Sequence, residues 1–267
     1  MIDRVRQLCL LDQRIMSALL YGSFARAEGD EFSDIEFYIF IAESEYEAFD
    51  QVEWLRRIST VSLYFITDQG IGVAIFENLI RGEFHFQRQS QMPSLRAHRR
   101  IASFPDADSM RIVDRNGEMQ KYLDYLSGPG PDRRSKESVV TLYHNFLNSM
   151  LAGFDVLARG ERARALDTLG MVHRYLLWLV RVHEGKMLNS ESRAFKNLEK
   201  DLAGSAYDRY VKCTGSLHRK SLEHAYRATW SWGKELIQSI APKYEIALDE
   251  GLIQSLNVRF SNTLKGE

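Results

Sequence analysis

Two short stretches of this 267-residue chain decide its fold: LYGSFAR at residues 20–26 and DIEF at residues 34–37. The first is an apolar run that ends in Gly22-Ser23. Such an end presents backbone N–H groups and a hydroxyl at the start of a turn, where glycine permits close approach of a phosphate. In the second stretch, strand residues i and i+2 share a face, so Asp34 and Glu36 project together. The two stretches predict an anion cradle beside two converging carboxylates.

The paired carboxylates indicate a metal ion. Two carboxylates this close would repel each other and raise one pKa unless a cation lies between them. Mg²⁺ is the usual hard partner of carboxylate pairs that also face substrate phosphates. We therefore expect Asp34 and Glu36 to bind Mg²⁺ together with a nucleotide.

Metal-assisted nucleotidyl transfer also needs a third carboxylate, to hold a second ion or to deprotonate the acceptor. The candidates are Glu83, Glu77 and Asp68. Glu83 alternates with aromatic residues in E-F-H-F, which repeats the Asp34 and Glu36 arrangement, and we favour it. Glu77 lies in a helix-like FENLI context, and Asp68 precedes Gln-Gly as a turn residue would.

The rest of the first half alternates helical and strand-like segments. Helical spacing of apolar residues predicts helices at 3–17 and 44–57 and another after Pro93. Runs of β-branched and aromatic residues predict strands at 18–21, 35–41, 61–67 and 83–86. We expect an α/β (α+β) domain with a mixed sheet at residues 1–126.

The second half has a different pattern. The segment SGPGPD at 127–132 holds two of the five prolines, which predicts a linker at 127–134. Beyond it, apolar stripes at a spacing of three or four residues recur at 139–157, 163–183, 216–239 and 247–258. We expect an all-α helical-bundle domain at 135–267, with the active site in the cleft between the domains.

Charge and composition exclude several classes. Lys and Arg number 35 against 36 Asp and Glu, a net charge of −1, which disfavours sequence-independent nucleic-acid binding. Cys9 and Cys213 belong to no CxxC or Cys/His cluster, so we expect neither a disulfide framework nor a zinc site. Charged residues punctuate positions 1–14, and Arg181 ends the most apolar stretch at 175–180, so we expect neither a signal peptide nor a membrane span. A cytoplasmic protein fits these features.

The motifs GSFARAEGDEFSDIEFYIF at 22–40 and RGEFHFQR at 81–88, followed by a helical second half, resemble the lincosamide nucleotidyltransferases. These are bacterial antibiotic-resistance enzymes of the polymerase-beta-type nucleotidyltransferase superfamily, and the resemblance covers essentially the whole chain. One departure is Glu36, where polymerases commonly have Asp.

The resemblance implies a role for each motif residue. Gly22 and Ser23 would hold the nucleotide phosphates, Asp34 and Glu36 would bind Mg²⁺, and Glu83 would stand at the third-carboxylate position as metal ligand or base. The implied reaction transfers a nucleoside monophosphate, typically AMP from ATP, to a hydroxyl of the drug's sugar and releases pyrophosphate. Related enzymes are often dimers, so a homodimer is expected. The helical domain would bind substrate and form the dimer.

Arg26 is a further candidate for the nucleotide site. It follows Ser23 by three residues, and a guanidinium matches phosphate geometry, so Arg26 could reach a triphosphate oxygen. A solvated turn arginine is the alternative interpretation.

The charge and composition of the second half indicate which class of drug is the acceptor. Residues 137–186 are near charge balance and rich in Leu, Tyr, Trp and Val, which suits a partly apolar drug such as lincomycin or clindamycin better than a polycationic aminoglycoside. An aminoglycoside adenylyltransferase and a toxin–antitoxin-type protein AMPylase share the first domain and stay as alternatives. A nucleotide-binding regulatory module without turnover would not need three carboxylates.

Overall fold

The computed structural model describes residues 1–100, 104–128, 132–186 and 194–263. The chain divides into two compact units, Met1–Pro131 and Asp132–Glu267. Residues 129–131, within the predicted linker, lie outside the described residues.

The first unit alternates strands with short helices. Its strands are β1 (Ile15–Leu20), β2 (Ile35–Ile41), β3 (Val61–Ile66), β4 (Gly72–Phe76), β5 (Arg81–Arg88) and β6 (Arg111–Asp114). Its helices are α1 (Ile2–Leu11), α2 (Gly22–Ala25), α3 (Gln51–Arg56), a 3₁₀ helix (Gln89–Arg100), α4 (Ala107–Met110) and α5 (Gln120–Leu126).

The described strands form one mixed sheet in the order β3-β4-β5-β2-β1-β6. Strand β2 pairs antiparallel with β1 and parallel with β5. The parallel register places Glu36 beside Glu83 and Tyr38 beside His85. The mixed sheet confirms the predicted fold class, and its central strands carry the predicted motifs.

Strand alternation separates an apolar face of the sheet from a polar one. Phe37 and Phe84 are fully buried and stack with ring centroids 5.6 Å apart. Trp54 of α3 packs edge-on against Phe86 at 5.6 Å. Glu36 directly precedes Phe37 and Glu83 directly precedes Phe84, so both carboxylates point to the opposite face.

Two predicted helices are too long. The first ends at Leu11, and residues from Ile15 onward form β1 instead. Asp12 stops the helix, because its carboxylate accepts hydrogen bonds from the backbone and the guanidinium of Arg14. The helix predicted at 44–57 begins only at Gln51, where the Asp50 side chain caps it by accepting from the Glu53 N–H at 2.9 Å.

Three further features differ from the sequence-based expectation. Strands β4 and β6 were not predicted, since each is a run of only four or five residues. The helix expected after Pro93 is a 3₁₀ helix that contains this proline. The FENLI segment is the end of β4 and the turn after it, so Glu77 does not lie on a helix.

In its described residues, the second unit contains helices and the turns that connect them, and no strand. Its helices are α6 (Lys136–Ala158), α7 (Arg162–Glu184), α8 (Leu198–Asp201), α9 (Gly204–Cys213), α10 (Arg219–Lys243) and α11 (Glu250–Thr263). Four of them confirm the four predicted apolar stripes, while α8 and α9 were not predicted. Helix α7 packs against α6 and α10.

Aromatic side chains and one buried arginine anchor the helical unit. Phe154 of α6 stacks on Phe260 of α11 with centroids 3.6 Å apart. Arg181 is fully buried, and its guanidinium pairs with Asp201 at 3.0 Å. None of the helices in the described part of the chain is both long and apolar enough to cross a membrane.

Candidate active site

The three predicted carboxylates lie on adjacent central strands, and we call Asp34, Glu36 and Glu83 the acid cluster. Asp34 immediately precedes β2, Glu36 is the second residue of β2, and Glu83 is its register partner on β5. The parallel pairing thus brings side by side residues that are far apart in the chain. The sequence singles out the three residues from two local alternating patterns, whereas their grouping depends on the pairing of β2 with β5.

The Gly22-Ser23 turn lies directly against Glu36. The backbone N–H of Tyr21 donates to the Glu36 carbonyl at 3.0 Å, which ties the turn to β2. Gly22 has a φ of +73°, and a Cβ at this position would overlap Glu36 Oε2. Glycine is therefore required both by the backbone conformation and by the approach of the carboxylate.

Ser23 presents an unsatisfied hydroxyl at this turn. Its Oγ is buried and has no hydrogen-bond partner. Buried polar atoms almost always have partners, so an orphan hydroxyl beside a glycine turn indicates that a ligand atom satisfies it. A phosphate oxygen has the required chemistry.

Arg81 joins two members of the acid cluster. Its Nη1 donates to Asp34 Oδ2 at 2.6 Å, and its Nη2 donates to Glu83 Oε1. Arg81 is two residues before Glu83 on β5, so both side chains leave the same face of the strand. The guanidinium supplies positive charge among the carboxylates.

The surroundings of Glu36 disfavour its charged form. Burial is the largest cause, and with the charges of Asp34 and Glu83 it raises the pKa of Glu36 to about 7. A backbone hydrogen bond from Ser23 and the charge of Arg26 act in the opposite direction. A cation bound among the three carboxylates would favour the ionised form of Glu36.

Aromatic side chains beneath the cluster hold Glu83 in place. The Tyr21 hydroxyl donates to Glu83 Oε2 at 3.3 Å and lies 2.8 Å from His85 Nε2. Burial, followed by the charges of Glu36 and Glu83, raises the pKa of Tyr21 far above its usual value, so the hydroxyl keeps its proton. Burial lowers the pKa of His85 to about 4, and the ring stacks on Tyr38 at 3.9 Å.

The remaining candidates from the sequence are Arg26, Asp68 and Glu77. Arg26 pairs with Glu28, with Nε 3.3 Å from Oε2, and its charge reaches Glu36. Asp68 is exposed in the turn between β3 and β4, as predicted, and Glu77 is exposed in the turn between β4 and β5. Of the three alternatives for the third carboxylate, only Glu83 is a register partner of Glu36.

The acid cluster offers carboxylate oxygens, which are suitable ligands for a hard cation. Its side chains are, however, not arranged around a common point. In the described residues, no three His, Cys, Asp or Glu side chains are grouped so as to hold a metal ion. In this arrangement Arg81 forms ion pairs with Asp34 and Glu83. Carboxylate oxygens are the ligands that Mg²⁺ prefers, and the orphan Ser23 hydroxyl fits a nucleotide phosphate.

Sequence reasoning did not predict the contacts of Arg81, Tyr21 and His85 at the cluster. The signal for Arg81 and His85 is the two-residue spacing on either side of Glu83, which places all three side chains on one face. Tyr21 stands inside the LYGS motif, but its contact with Glu83 depends on the pairing of three strands. No local pattern contains that information.

Comparison with known proteins gives one family match. Residues 135–259 match the family model described as "Lincosamide nucleotidyltransferase-like, C-terminal domain". No curated protein sequence matches the chain.

Two solved structures resemble the chain only distantly. An aminoglycoside 6-adenyltransferase from Bacillus subtilis is 13% identical, with a TM-score of 0.46 over 98% of this chain and 97% of that one. A nucleotidyltransferase-like protein from Exiguobacterium sibiricum 255-15 is 11% identical, with a TM-score of 0.40 over 96% of this chain and 86% of that one. Similarity at this level is too low to assign a substrate. Residues 135–259 are thus similar to the C-terminal domain of lincosamide nucleotidyltransferase-like proteins, and this match spans slightly less than half of the chain.

Proposed function

We propose that the protein transfers AMP from ATP to a hydroxyl of a lincosamide antibiotic, releasing pyrophosphate and inactivating the drug. The observation that carries this proposal is the acid cluster on β2 and β5 beside the Gly22-Ser23 turn. Gly22 and Ser23 provide a site for phosphate, and the three carboxylates provide for cation binding and proton transfer.

Each residue of the site has a role in this reaction. Gly22 and Ser23 bind the triphosphate, and Arg26 lies close enough to Glu36 to add positive charge there. Asp34 and Glu36 would hold Mg²⁺, which would supply positive charge for the triphosphate and the leaving pyrophosphate. Glu83 is either the base or a further metal ligand.

As base, Glu83 accepts the proton of the attacking hydroxyl. The hydroxyl oxygen forms a bond to the α-phosphorus, and the bond from that phosphorus to the bridging oxygen of pyrophosphate breaks. Tyr21 keeps its own proton and donates a hydrogen bond to Glu83, which orients the carboxylate. Catalysis then consists mainly of positioning and charge neutralisation.

The lincosamide acceptor is supported by the second unit. The name of the family that residues 135–259 match refers to lincosamides, and residues 137–186 combine near charge balance with many apolar side chains. A polycationic aminoglycoside requires a strongly acidic pocket, which this composition does not favour.

An acceptor panel tests the proposal. The protein is incubated with Mg-ATP and lincomycin, clindamycin or kanamycin, and products are examined by mass spectrometry for an added AMP. We expect adducts of lincomycin and clindamycin. An adduct of kanamycin alone would favour an aminoglycoside adenylyltransferase, an adduct of a protein would favour an AMPylase, and Mg-ATP binding without any adduct would favour a regulatory module.

We also propose that the protein is a cytoplasmic homodimer. The resemblance implies that the helical unit forms the interface, and exposed apolar side chains of that unit include Met171, Val211 and Val258. Sedimentation at micromolar concentration should give twice the chain mass of 30.9 kDa. A species at the chain mass would contradict the dimer.

A further inference from the structure

Arg81 forms ion pairs that a bound cation would have to replace. It spans from β5 to the start of β2, with its Nη1 2.6 Å from Asp34 Oδ2 and its Nη2 bonded to Glu83. Asp34 is one of the two carboxylates to which we have assigned the cation, and Glu83 is the base or a further ligand. A guanidinium and a divalent ion cannot both use the same carboxylate oxygens at full strength.

The Arg81 ion pairs are exposed enough to be exchanged. The side chains of Arg81, Asp34 and Glu83 are 43%, 35% and 22% exposed. Partly solvated ion pairs are weak, because water screens the attraction and long side chains lose freedom in forming them. Arg81 can therefore leave the carboxylates for a stronger partner.

A nucleotide triphosphate is such a partner. The guanidinium fork matches phosphate oxygens as well as it matches carboxylates. Arg81 also stands on the face that carries Glu83, beside the cluster whose Glu36 lies against the Gly22 turn. The carboxylates that bind Arg81 and the expected phosphate site are thus on one side of the sheet.

We propose that Arg81 is the internal counter-ion of the acid cluster in the nucleotide-free enzyme, and that it moves to the triphosphate when the cluster takes up its cation. This inference rests on the proposed function. Arg81 opposes binding of a metal ion alone and assists binding of a metal nucleotide. Occupation of the site by free metal is thereby disfavoured relative to occupation by the true substrate.

The test is a pair of affinities that should change in opposite directions. In Arg81→Gln, calorimetric titration with Mn²⁺ alone should show binding about tenfold tighter than in the wild type, because a neighbouring positive charge is gone. Mg-ATP without acceptor should bind about tenfold more weakly, because a phosphate ligand is lost. Arg81→Lys, which keeps the charge without the fork, should leave Mn²⁺ affinity near wild type and still weaken Mg-ATP.

Arg88→Gln is the matched control. It removes the same charge from the other end of β5, where Arg88 pairs with Glu43 and Glu47, and both affinities should stay at wild-type values. Melting curves report whether each variant is folded. If Arg81→Gln leaves both affinities unchanged, or weakens both, the exchange is wrong. If the wild type binds neither Mn²⁺ nor Mg-ATP, the proposed function fails first and the inference with it.

Discussion

At the residue scale, both oxygens of the Glu83 carboxylate are bound by neighbours of different kinds. Arg81 donates to Oε1, and the Tyr21 hydroxyl donates to Oε2 at 3.3 Å. The ion pair is exchangeable, whereas Tyr21 is largely enclosed by β2 and β5 side chains such as Tyr38 and His85. Tyr21 therefore keeps one oxygen oriented while the other becomes free for a proton or a metal.

The Glu83→Gln variant tests the role of this carboxylate. Mg-ATP binding should be retained because Asp34 and Glu36 remain, while turnover falls by about 10²–10⁴-fold, the usual contribution of a positioned acid or base. If Glu83 is instead mainly a metal ligand, excess Mg²⁺ should restore part of the activity. Both are measured by following turnover across a Mg²⁺ titration.

Glu77→Gln serves as the control for Glu83→Gln. Glu77 is exposed in the turn that leads into β5, and its loss should leave turnover at the wild-type level. An inactive Glu77→Gln beside an active Glu83→Gln would mean that the third carboxylate has been assigned to the wrong residue.

At the element scale, the turn from β1 into α2 depends on Gly22, because this position has no room for a side chain. The sequence predicts this strand and turn because apolar residues followed by Gly-Ser are a local pattern. It predicts β2 and β5 from local alternation in the same way. The apolar spacing of residues 15–17 fits the preceding helix as well as it fits a strand. Only pairing with β2 and β6 distinguishes the two.

Gly22→Ala should damage the site more than an ordinary glycine substitution. A positive φ costs an alanine about 1–2 kcal/mol, and the new Cβ would also displace Glu36. Gly70 provides the comparison, since it has a φ of +76° and a Cβ added there would meet nothing within 4 Å. We expect Gly70→Ala to lower the free energy of unfolding by about 1–2 kcal/mol with normal turnover, and Gly22→Ala to lower it further and abolish turnover.

Chemical denaturation and an activity assay measure both effects. Equal losses of stability in the two variants, with activity retained in each, would show that the site does not need the space that Gly22 leaves for the Glu36 carboxylate.

At the scale of the whole molecule, the site exists because strands distant in sequence are neighbours in the sheet. Strands β2 and β5 are parallel and adjacent although β3 and β4 intervene in the chain. Composition and periodicity predict an α/β part followed by a helical part. They do not predict strand order, and so they cannot identify the contacts of Arg81 and Tyr21 with the acid cluster.

The helical unit should lose stability in acid through His173. This side chain is buried and bonded to the Cys213 carbonyl at 2.9 Å, and burial lowers its pKa from 6.5 to about 4. Between these values the unfolded chain binds the proton and the native chain does not. The contribution of His173 is therefore fully present above pH 6.5 and is lost as the pH falls toward 4.

In His173→Gln, the free energy of unfolding should depend less on pH in this window than in the wild type. Urea denaturation followed by tryptophan fluorescence measures this, since Trp178, Trp230 and Trp232 all lie in the helical unit. His224→Gln, at an exposed position of α10, should keep the wild-type slope. If the free energy of unfolding of His173→Gln depends on pH as steeply as that of the wild type, His173 is not the cause of the acid sensitivity.

Pyrophosphate release by Glu36→Gln, with Mg-ATP and lincomycin present, tests the central claim most directly. Release should fall below about a hundredth of the wild-type rate, because a ligand charge is lost. The melting temperature should stay the same or rise, since the variant removes a buried charge that neighbouring carboxylates oppose. Glu31→Gln, an exposed acid before β2, should release pyrophosphate normally. Release by Glu36→Gln above about a hundredth of the wild-type rate, with unchanged melting, would contradict the assignment of the acid cluster as the metal-nucleotide site.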